Sequence, residues 1–124
     1  MKQLILVVDD EAPIRDLLSQ YFKKRGYEIS TAATITEALH GVAELVPDLV
    51  ILDIALAEGD GLELLESLKA SNPSLPVIIL TGMGFDEDLL QEARQKGADG
   101  YISKTLPLDQ LLMEVHRTLK HKKA

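Results

Sequence analysis

The sequence contains no cysteine and no long apolar run. Without cysteine the chain cannot form a disulfide, a thiolate metal site or a cysteine nucleophile, and a reducing, cytoplasmic compartment is the natural interpretation. The apolar run at 4–8 is stopped at once by three acidic residues at 9–11, which argues against a signal peptide. No run approaches the roughly 20 residues of a membrane span. We therefore expect a cytoplasmic protein with no membrane partner.

Positive charge is also scarce. The chain has 13 Lys and Arg against 20 Asp and Glu, a formal net charge of -7. Such a surface repels phosphate backbones, so we expect no direct nucleic-acid binding. The 124 residues fit one domain, which we place at 1–124, and a hydrophobic content of 46% is enough for a core.

Short apolar runs alternate with helical patterns along the whole chain. Uninterrupted apolar runs at 4–8, 49–52 and 77–80 are typical of strands buried on both faces. The more polar segment 28–32 is a candidate edge strand, and 101–103 is a short strand candidate. Because helical periodicity follows each strand, the pattern predicts an α/β domain of about five βα units, with helices on both faces of a parallel sheet.

The apolar spacing in the first and second helical segments predicts which side chains of each helix are buried. Apolar spacing in the first predicts that these side chains are buried: Ile14, Leu17, Leu18, Tyr21 and Phe22. The second helix begins with Thr34 and Glu37 at capping-box spacing, and Pro47 ends it. Its predicted buried residues are Ile35, Ala38, Leu39, Val42, Ala43 and Val46.

Polar residues follow every strongly apolar strand. Asp9 and Asp10 come after the first, Asp53 after the third, Thr81 after the fourth and Lys104 after the fifth. Ligands of open α/β sheets bind at the carboxyl ends of the strands, so we expect these side chains to meet at one edge.

Three carboxylates at one edge have a chemical consequence. At ~5 Å and an effective dielectric constant of ~20, each pair repels by roughly 3 kcal/mol, which favours binding of a cation. Carboxylate and carbonyl oxygens are ligands that Mg²⁺ prefers, and bound Mg²⁺ can hold a phosphoryl group. Thr81 can hydrogen-bond a phosphoryl oxygen, and Lys104 can neutralise another. A carboxylate that attacks a phosphoryl donor forms an acyl phosphate.

Five short motifs carry a family resemblance. They are VVDDE at 7–11, LDI at 52–54, DG at 60–61, LTG at 80–82 and SK at 103–104. In this order and spacing, over essentially the whole chain, the sequence resembles the receiver domains of two-component response regulators. The resemblance implies a flavodoxin-like fold, a doubly wound five-stranded parallel sheet with strand order 2-1-3-4-5.

The resemblance also implies a role for each site residue. Asp53 would accept the phosphoryl group from a phosphohistidine of a histidine kinase or phosphotransfer protein. Asp10 would bind Mg²⁺ directly and Asp9 through water, with Asp53 and the backbone carbonyl of Ala55 as further ligands. Lys104 would pair with the phosphate. The domain would catalyse only its own phosphorylation and dephosphorylation, and would not be an enzyme in the usual sense.

A switch is part of the same expectation. Thr81 would contact the phosphoryl oxygen and move with it, and Tyr101 would be the switch aromatic that turns inward when Thr81 moves. The surface of the fourth helix, fifth strand and fifth helix would then change its affinity for a downstream protein or an attached output domain. The chain would be a monomer or a phosphorylation-dependent dimer.

The chain departs from the family pattern at a few positions near the site, where we expect the lifetime of the phosphorylated state to be set. Thr105 stands where proline, commonly after a cis peptide bond, is usual, which leaves the geometry of the Lys104 loop open. Ala57 also replaces a common proline. The small or non-hydrogen-bonding residues beside the site are Ala55, Gly82 and Met83.

Other interpretations of these residues remain open. Taken singly, the acidic residues are ordinary helix or strand caps, and only their joint placement points to a site. A Mg²⁺-dependent phosphatase typically has a second acid two residues after its nucleophile, but Ala55 occupies that position after Asp53, whereas Glu11 occupies it after Asp9. A receiver-like binding module without phosphorylation is a further alternative, and no Walker A or G-x-G-x-x-G motif supports a nucleotide or flavin module. The histidines lack metal-like spacing and are expected at the surface: His40, His116 and His121.

Overall fold

The computed structural model describes residues 2–56, 59–82, 86–105 and 107–120. Within these ranges a parallel sheet is built from strands β1 (Leu4–Val8), β2 (Glu28–Ala32), β3 (Leu49–Asp53), β6 (Val77–Thr81) and β7 (Gly100–Ser103). A two-stranded antiparallel hairpin, β4 (Ala55–Leu56) and β5 (Gly59–Asp60), follows β3. The helices are α1 (Ala12–Lys23), α2 (Ile35–Glu44), α3 (Gly61–Ser71), α4 (Glu87–Gln95) and α5 (Leu108–Lys120).

The order of the large sheet is β2-β1-β3-β6-β7, and all its pairings are parallel. When its five strands are counted along the chain, this is the order 2-1-3-4-5, so the predicted doubly wound sheet is confirmed. The short hairpin was not predicted, because two-residue strands carry no hydrophobic periodicity. It lies outside the large sheet and leaves the predicted order unchanged.

Alternate strand residues face opposite layers of helices. Ile5 and Ile51 belong to a core shared with α1 and α5, whereas Leu6 and Leu52 belong to a core shared with α2, α3 and α4. Since side chains alternate across a strand, a strand covered on both faces must be apolar throughout. The three apolar runs of the sequence are therefore the three central strands, and the polar segment β2 lies at an edge.

The predicted start of α2 is confirmed in detail. The Thr34 hydroxyl accepts a hydrogen bond from the Glu37 backbone N–H at 3.1 Å, which satisfies one of the free donors of the first turn. The Glu37 carboxylate reaches back to the N–H of Ala33, at 2.7 Å, one residue before the position of an ideal capping box.

The predicted buried faces of α1 and α2 are too wide. Leu17 and Leu39 are 48% and 41% exposed, and Ala43 is exposed as well. Val46 is 51% exposed because α2 ends at Glu44, so Val46 lies in the connection to β3 and not on the helix face. Each helix contacts the sheet along a narrower stripe than the sequence spacing indicates. The other residues predicted for these faces are buried or half-buried: Ile14, Leu18, Tyr21, Phe22, Ile35, Ala38 and Val42.

No helix in the described part of the chain is both long and apolar enough to cross a membrane.

Candidate functional site

The strand ends bring four acidic side chains together. Val8 pairs with Leu52, so the residues that follow them on neighbouring strands, Asp9 and Asp53, reach the same edge. Both are buried, with 0% and 3% of their surface exposed. One carboxylate oxygen of each of the four residues lies within 4.8 Å of those of the other three. These residues, called the acidic group below, are Asp9, Asp10, Glu11 and Asp53. The predicted clustering of Asp9, Asp10 and Asp53 is therefore found.

The backbone around Asp53 is held tightly. Its Oδ1 accepts a hydrogen bond from the Ala55 N–H at 3.1 Å. The next residue, Ile54, donates its N–H to Leu80 on β6 at 3.1 Å and accepts one from Gly61 at 2.9 Å. A Cβ atom at Gly61 would lie 2.4 Å from the Asp53 carbonyl oxygen, so only glycine fits beside this backbone.

Asp9 is fixed by the chain that leaves β1. Its N–H donates to the Ala32 carbonyl at 3.1 Å, its Oδ1 accepts from the Glu11 N–H at 2.9 Å, and Arg15 donates to its carbonyl at 2.7 Å. Its other oxygen, Oδ2, is buried and has no aligned hydrogen bond within the described ranges, although Lys104 Nζ lies 3.0 Å away. A buried carboxylate oxygen in this situation is a ready acceptor for a metal-bound water.

Lys104 brings a single positive charge to the acidic group. Its Nζ lies 2.7 Å from Glu11 Oε2, 3.0 Å from Asp9 Oδ2 and 3.2 Å from Asp53 Oδ2. The side chain is only 13% exposed, and its backbone N–H donates to the Thr81 carbonyl at 2.7 Å. The predicted approach of Lys104 to Asp53 is therefore found.

The pKa directions follow from burial and from this charge arrangement. Burial raises the pKa of Asp53 and the charge of Asp9 raises it further, whereas the Ala55 N–H and Lys104 oppose the rise. Burial alone would lower the pKa of Lys104, but the contacts with Glu11, Asp9 and Asp53 outweigh it and raise that pKa above its ordinary value. The ammonium group thus stays charged, and one cation does not neutralise the surrounding carboxylates.

Oxygen atoms supply the whole donor set of this group. Two buried aspartates, the more accessible Asp10 and an oxygen of Asp9 without an aligned hydrogen bond suit a hard divalent cation such as Mg²⁺. Ala55 lies two residues beyond Asp53 in β4, and the role of its carbonyl as a ligand stays a prediction.

Thr81 lies at the end of β6, next to the acidic group, and Tyr101 lies two residues before the end of the neighbouring strand β7. Thr81 is fully buried and follows Leu80, which pairs with Asp53. The Tyr101 hydroxyl is buried without an aligned hydrogen bond in the described part of the chain. Burial raises the pKa of Tyr101, the nearby Thr81 side chain opposes this, and the charge of Asp86 adds to it. The hydroxyl of Tyr101 is thus buried in this structure, and the inward turn of its ring on movement of Thr81 stays a prediction.

Thr105 follows Lys104 in place of proline, and the Lys104–Thr105 peptide bond is trans. The Ser103 and Thr105 hydroxyls are 2.7 Å apart, and the Thr105 N–H donates to the Ser103 hydroxyl at 3.1 Å. A Cβ atom at Gly82 would lie 3.6 Å from the Lys104 Cδ atom, an ordinary contact distance. Two positions singled out in the sequence near the site, Ala57 and Met83, lie outside the described residues.

The two histidines within the described ranges, His40 and His116, take no part in this site. His40 is exposed and lies 3.3 Å from a Glu44 oxygen on α2. His116 is also exposed, and its ring lies 6.0 Å from that of Tyr27. These positions agree with the surface locations expected from the sequence, and His121 lies outside the described ranges.

Glu11 is a site residue whose contact with Lys104 was not predicted from the sequence. It makes the shortest contact with Lys104, although the two residues are 93 positions apart in the chain. Its position directly after Asp10 at a strand end was the available signal. That signal places the residue near the edge but does not identify the cation it contacts.

Comparison with known proteins gives a consistent result. The family model for the response regulator receiver domain matches residues 5–116. Sporulation initiation phosphotransferase F of Bacillus subtilis is 37% identical over 119 residues, which cover 96% of this chain and 95% of that protein. Transcriptional regulatory protein ZraR of Klebsiella oxytoca is 39% identical over 117 residues, which cover 94% of this chain but only 26% of that longer protein.

Solved structures match over nearly the whole chain. A CheY-like response regulator receiver domain protein from Methanospirillum hungatei superimposes with a TM-score of 0.92 at 32% identity, covering 98% of this chain and 97% of that one. NtrX from Brucella abortus gives a TM-score of 0.91 at 37% identity, with 98% of this chain and 28% of that one covered. The chain thus corresponds to a whole protein in some relatives and to one part of a larger protein in others.

Proposed function

Because the chain belongs to the response regulator receiver domain family, we propose that residues 1–124 form a receiver that accepts a phosphoryl group on Asp53 with the help of Mg²⁺. The observation that carries this proposal is the contact of a half-buried lysine, Lys104, with Asp53 inside the acidic group. A cation beside a carboxylate nucleophile is what transfer of a negatively charged group requires.

The phosphoryl donor is a phosphohistidine of a histidine kinase or phosphotransfer protein. An Asp53 carboxylate oxygen forms a bond to phosphorus as the phosphorus–nitrogen bond breaks, and the imidazole leaves with the electron pair. Mg²⁺, when bound by Asp10, Asp53 and the Ala55 carbonyl, and through water by Asp9, supplies positive charge to the phosphoryl oxygens.

The remaining roles belong to this chain's own side chains. Lys104 is already 3.2 Å from Asp53 Oδ2, so its ammonium donates to a phosphoryl oxygen after a small movement. Thr81 donates its hydroxyl to another oxygen. Its burial beside Asp53 keeps bulk water away from that side of the acyl phosphate.

Phosphorylation then changes a distant surface. A cavity of about 280 Å³ lies between α4, β7 and α5, and Tyr101 forms part of its wall together with Leu90 and Arg117. Since the Tyr101 hydroxyl is close to Thr81, a movement of Thr81 toward the phosphoryl group alters the position of the ring and the shape of this cavity. The α4–β7–α5 surface thereby changes its affinity for a downstream protein or an attached output domain.

The other expectations from the sequence belong to the same proposal. The domain catalyses only its own phosphorylation and dephosphorylation, acts in the cytoplasm, binds no nucleic acid itself and is a monomer or a phosphorylation-dependent dimer. The net charge of -7 supports the statement on nucleic acid.

The test is site-specific labelling. The protein is incubated with Mg²⁺ and acetyl phosphate, and the intact mass is followed over time for wild type, Asp53→Asn and Asp109→Asn. The last variant removes an exposed aspartate from the first turn of α5 and controls for net charge. We expect a mass increase of one phosphoryl group in wild type and Asp109→Asn only. An unlabelled wild type, or equal labelling of Asp53→Asn, contradicts the proposal.

A further inference from the structure

Glu11 contacts the ammonium group on which phosphoryl transfer depends. Lys104 Nζ makes aligned hydrogen bonds to Glu11 Oε2 at 2.7 Å and to Asp53 Oδ2 at 3.2 Å. The bond to Glu11 is the shorter of the two, so the lysine is held more closely by a residue outside the proposed reaction than by the proposed phosphoryl acceptor.

The backbone of Glu11 is fixed by hydrogen bonds, whereas its side chain is largely exposed to water. Its N–H donates to Asp9 Oδ1 at 2.9 Å, and its carbonyl accepts from Ile14 and Arg15 at 3.1 Å at the start of α1. Its side chain is 59% exposed, in contrast to 1% for Asp9 and 4% for Asp53. Glu11 is therefore the one member of these three that can release Lys104 and turn into water without disturbing the core.

Lys104 has three N–H donors and is almost enclosed, with 13% of its side chain exposed. A phosphoryl group on Asp53 brings further strong acceptor oxygens and more negative charge to this small space. For the ammonium to approach those oxygens, the short bond to Glu11 has to lengthen or break.

We propose that Glu11 is a positioning residue that holds the Lys104 ammonium in the unphosphorylated protein and thereby slows phosphorylation of Asp53. Glu11 touches neither the donor nor the acceptor and acts through Lys104. This inference rests on the proposed function, and it adds a restraint on the same site.

The first test compares initial rates of labelling by acetyl phosphate, each at a Mg²⁺ concentration shown by titration to be saturating for that variant. In this reaction an Asp53 oxygen bonds to phosphorus, and acetate leaves with the electron pair of the broken oxygen–phosphorus bond. We expect Glu11→Gln to be labelled about two- to fivefold faster than wild type, the range that corresponds to release of a partly exposed ion pair. Glu28→Gln removes an exposed glutamate from the edge strand β2 and is expected to match wild type.

A double-mutant cycle separates a contact with Lys104 from a general effect of charge. If Glu11 acts through the ammonium, Glu11→Gln produces no acceleration in a Lys104→Met background. Equal acceleration in both backgrounds overturns the inference, because a field effect of the Glu11 charge does not need Lys104. Unchanged or slower labelling of Glu11→Gln with Lys104 intact overturns it as well.

A second measurement does not depend on phosphorylation. In ¹⁵N-labelled protein without Mg²⁺, we expect the Lys104 Nζ resonance to shift and its protons to exchange faster with water in Glu11→Gln than in wild type. An unchanged resonance shows that Glu11 does not hold the ammonium group and overturns the inference. If the resonance changes but wild type accepts no phosphoryl group, the proposed function fails while the Glu11–Lys104 contact stands, so the two failures are distinguishable.

Discussion

Asp9 and Asp53 lie next to each other at the ends of neighbouring parallel strands, because Val8 and Leu52 are paired in the sheet. Both carboxylates are buried, and the same lysine contacts both. The fold therefore places two buried negative charges side by side, with the Lys104 ammonium in contact with both and the Arg15 guanidinium bound to the Asp9 carbonyl. This arrangement favours cation binding at the expense of stability in the metal-free protein.

Removal of the Asp53 charge is expected to stabilise the metal-free domain. A carboxyl group with a raised pKa in the folded state binds its proton more tightly when folded, so its ionisation lowers the free energy of unfolding as pH rises. Asp53→Asn should raise that free energy at neutral pH by on the order of 1 kcal/mol, since Lys104 offsets part of the repulsion. The measurement is urea denaturation with EDTA, at neutral pH and again below the ordinary carboxyl range, where the difference should vanish.

Mg²⁺ provides the control for this experiment. Ligand binding to the folded state stabilises wild type more than a variant that has lost a ligand, so saturating Mg²⁺ should reduce or reverse the advantage of Asp53→Asn. A variant that is less stable than wild type in EDTA at neutral pH would contradict the electrostatic argument.

Asp9 provides a separate test of the metal site. Its Oδ2 atom is buried without an aligned hydrogen bond in the described ranges, and the proposal assigns it to a metal-bound water. Loss of such an outer-sphere partner typically weakens metal affinity by about 10- to 100-fold. We expect this loss of Mg²⁺ affinity for Asp9→Asn by isothermal titration calorimetry, and wild-type affinity for Asp109→Asn. Equal affinity of Asp9→Asn and wild type would remove Asp9 from the site.

The edge location of the site was predictable because it follows from periodicity alone. Strands buried on both faces must be apolar, so the first polar residue after each run marks its carboxyl end. The pattern therefore predicts that Asp9, Asp53 and Lys104 lie together at one edge of the sheet. The identity of the main sheet strands and their order followed from the same pattern and the family resemblance.

Two features could not be predicted from the sequence. They are the conformation of the Glu11 side chain and the width of the stripe along which each helix contacts the sheet. Glu11 can reach Lys104 only because its exposed side chain turns toward β7, and residue spacing contains no information on that rotamer. Leu39 has the correct helical spacing for burial but lies at the margin of the stripe of α2 that contacts the sheet. The pattern gives the direction of a buried face more reliably than its width.

Gly61 is expected to tolerate no side chain. A Cβ atom there would lie 2.4 Å from the Asp53 carbonyl oxygen and 2.8 Å from the Ile54 Cα atom, and neither backbone atom can move freely. Gly61→Ala should lower the free energy of unfolding by about 1–3 kcal/mol or more, as for other overpacked sites. The matched control is Gly41→Ala in α2. There an added Cβ atom would meet nothing within 4 Å apart from the helix's own backbone, and alanine should stabilise the helix by up to about 1 kcal/mol. Urea denaturation of both variants measures the contrast, and equal effects would contradict it.

Removal of the Tyr101 hydroxyl is expected to leave both the free energy of unfolding and the labelling of Asp53 almost unchanged. Because it is buried without an aligned hydrogen bond in the described residues, its removal should cost little, and Tyr101→Phe should keep or slightly raise the free energy of unfolding. The side chains proposed to contact the phosphoryl group, Thr81 and Lys104, are unchanged in this variant, so initial labelling of Asp53 by acetyl phosphate should stay at the wild-type rate. Denaturation and labelling of the same preparations test both statements. A loss of roughly 1–3 kcal/mol would instead show that the hydroxyl makes a strong hydrogen bond, with Thr81 as its nearby partner.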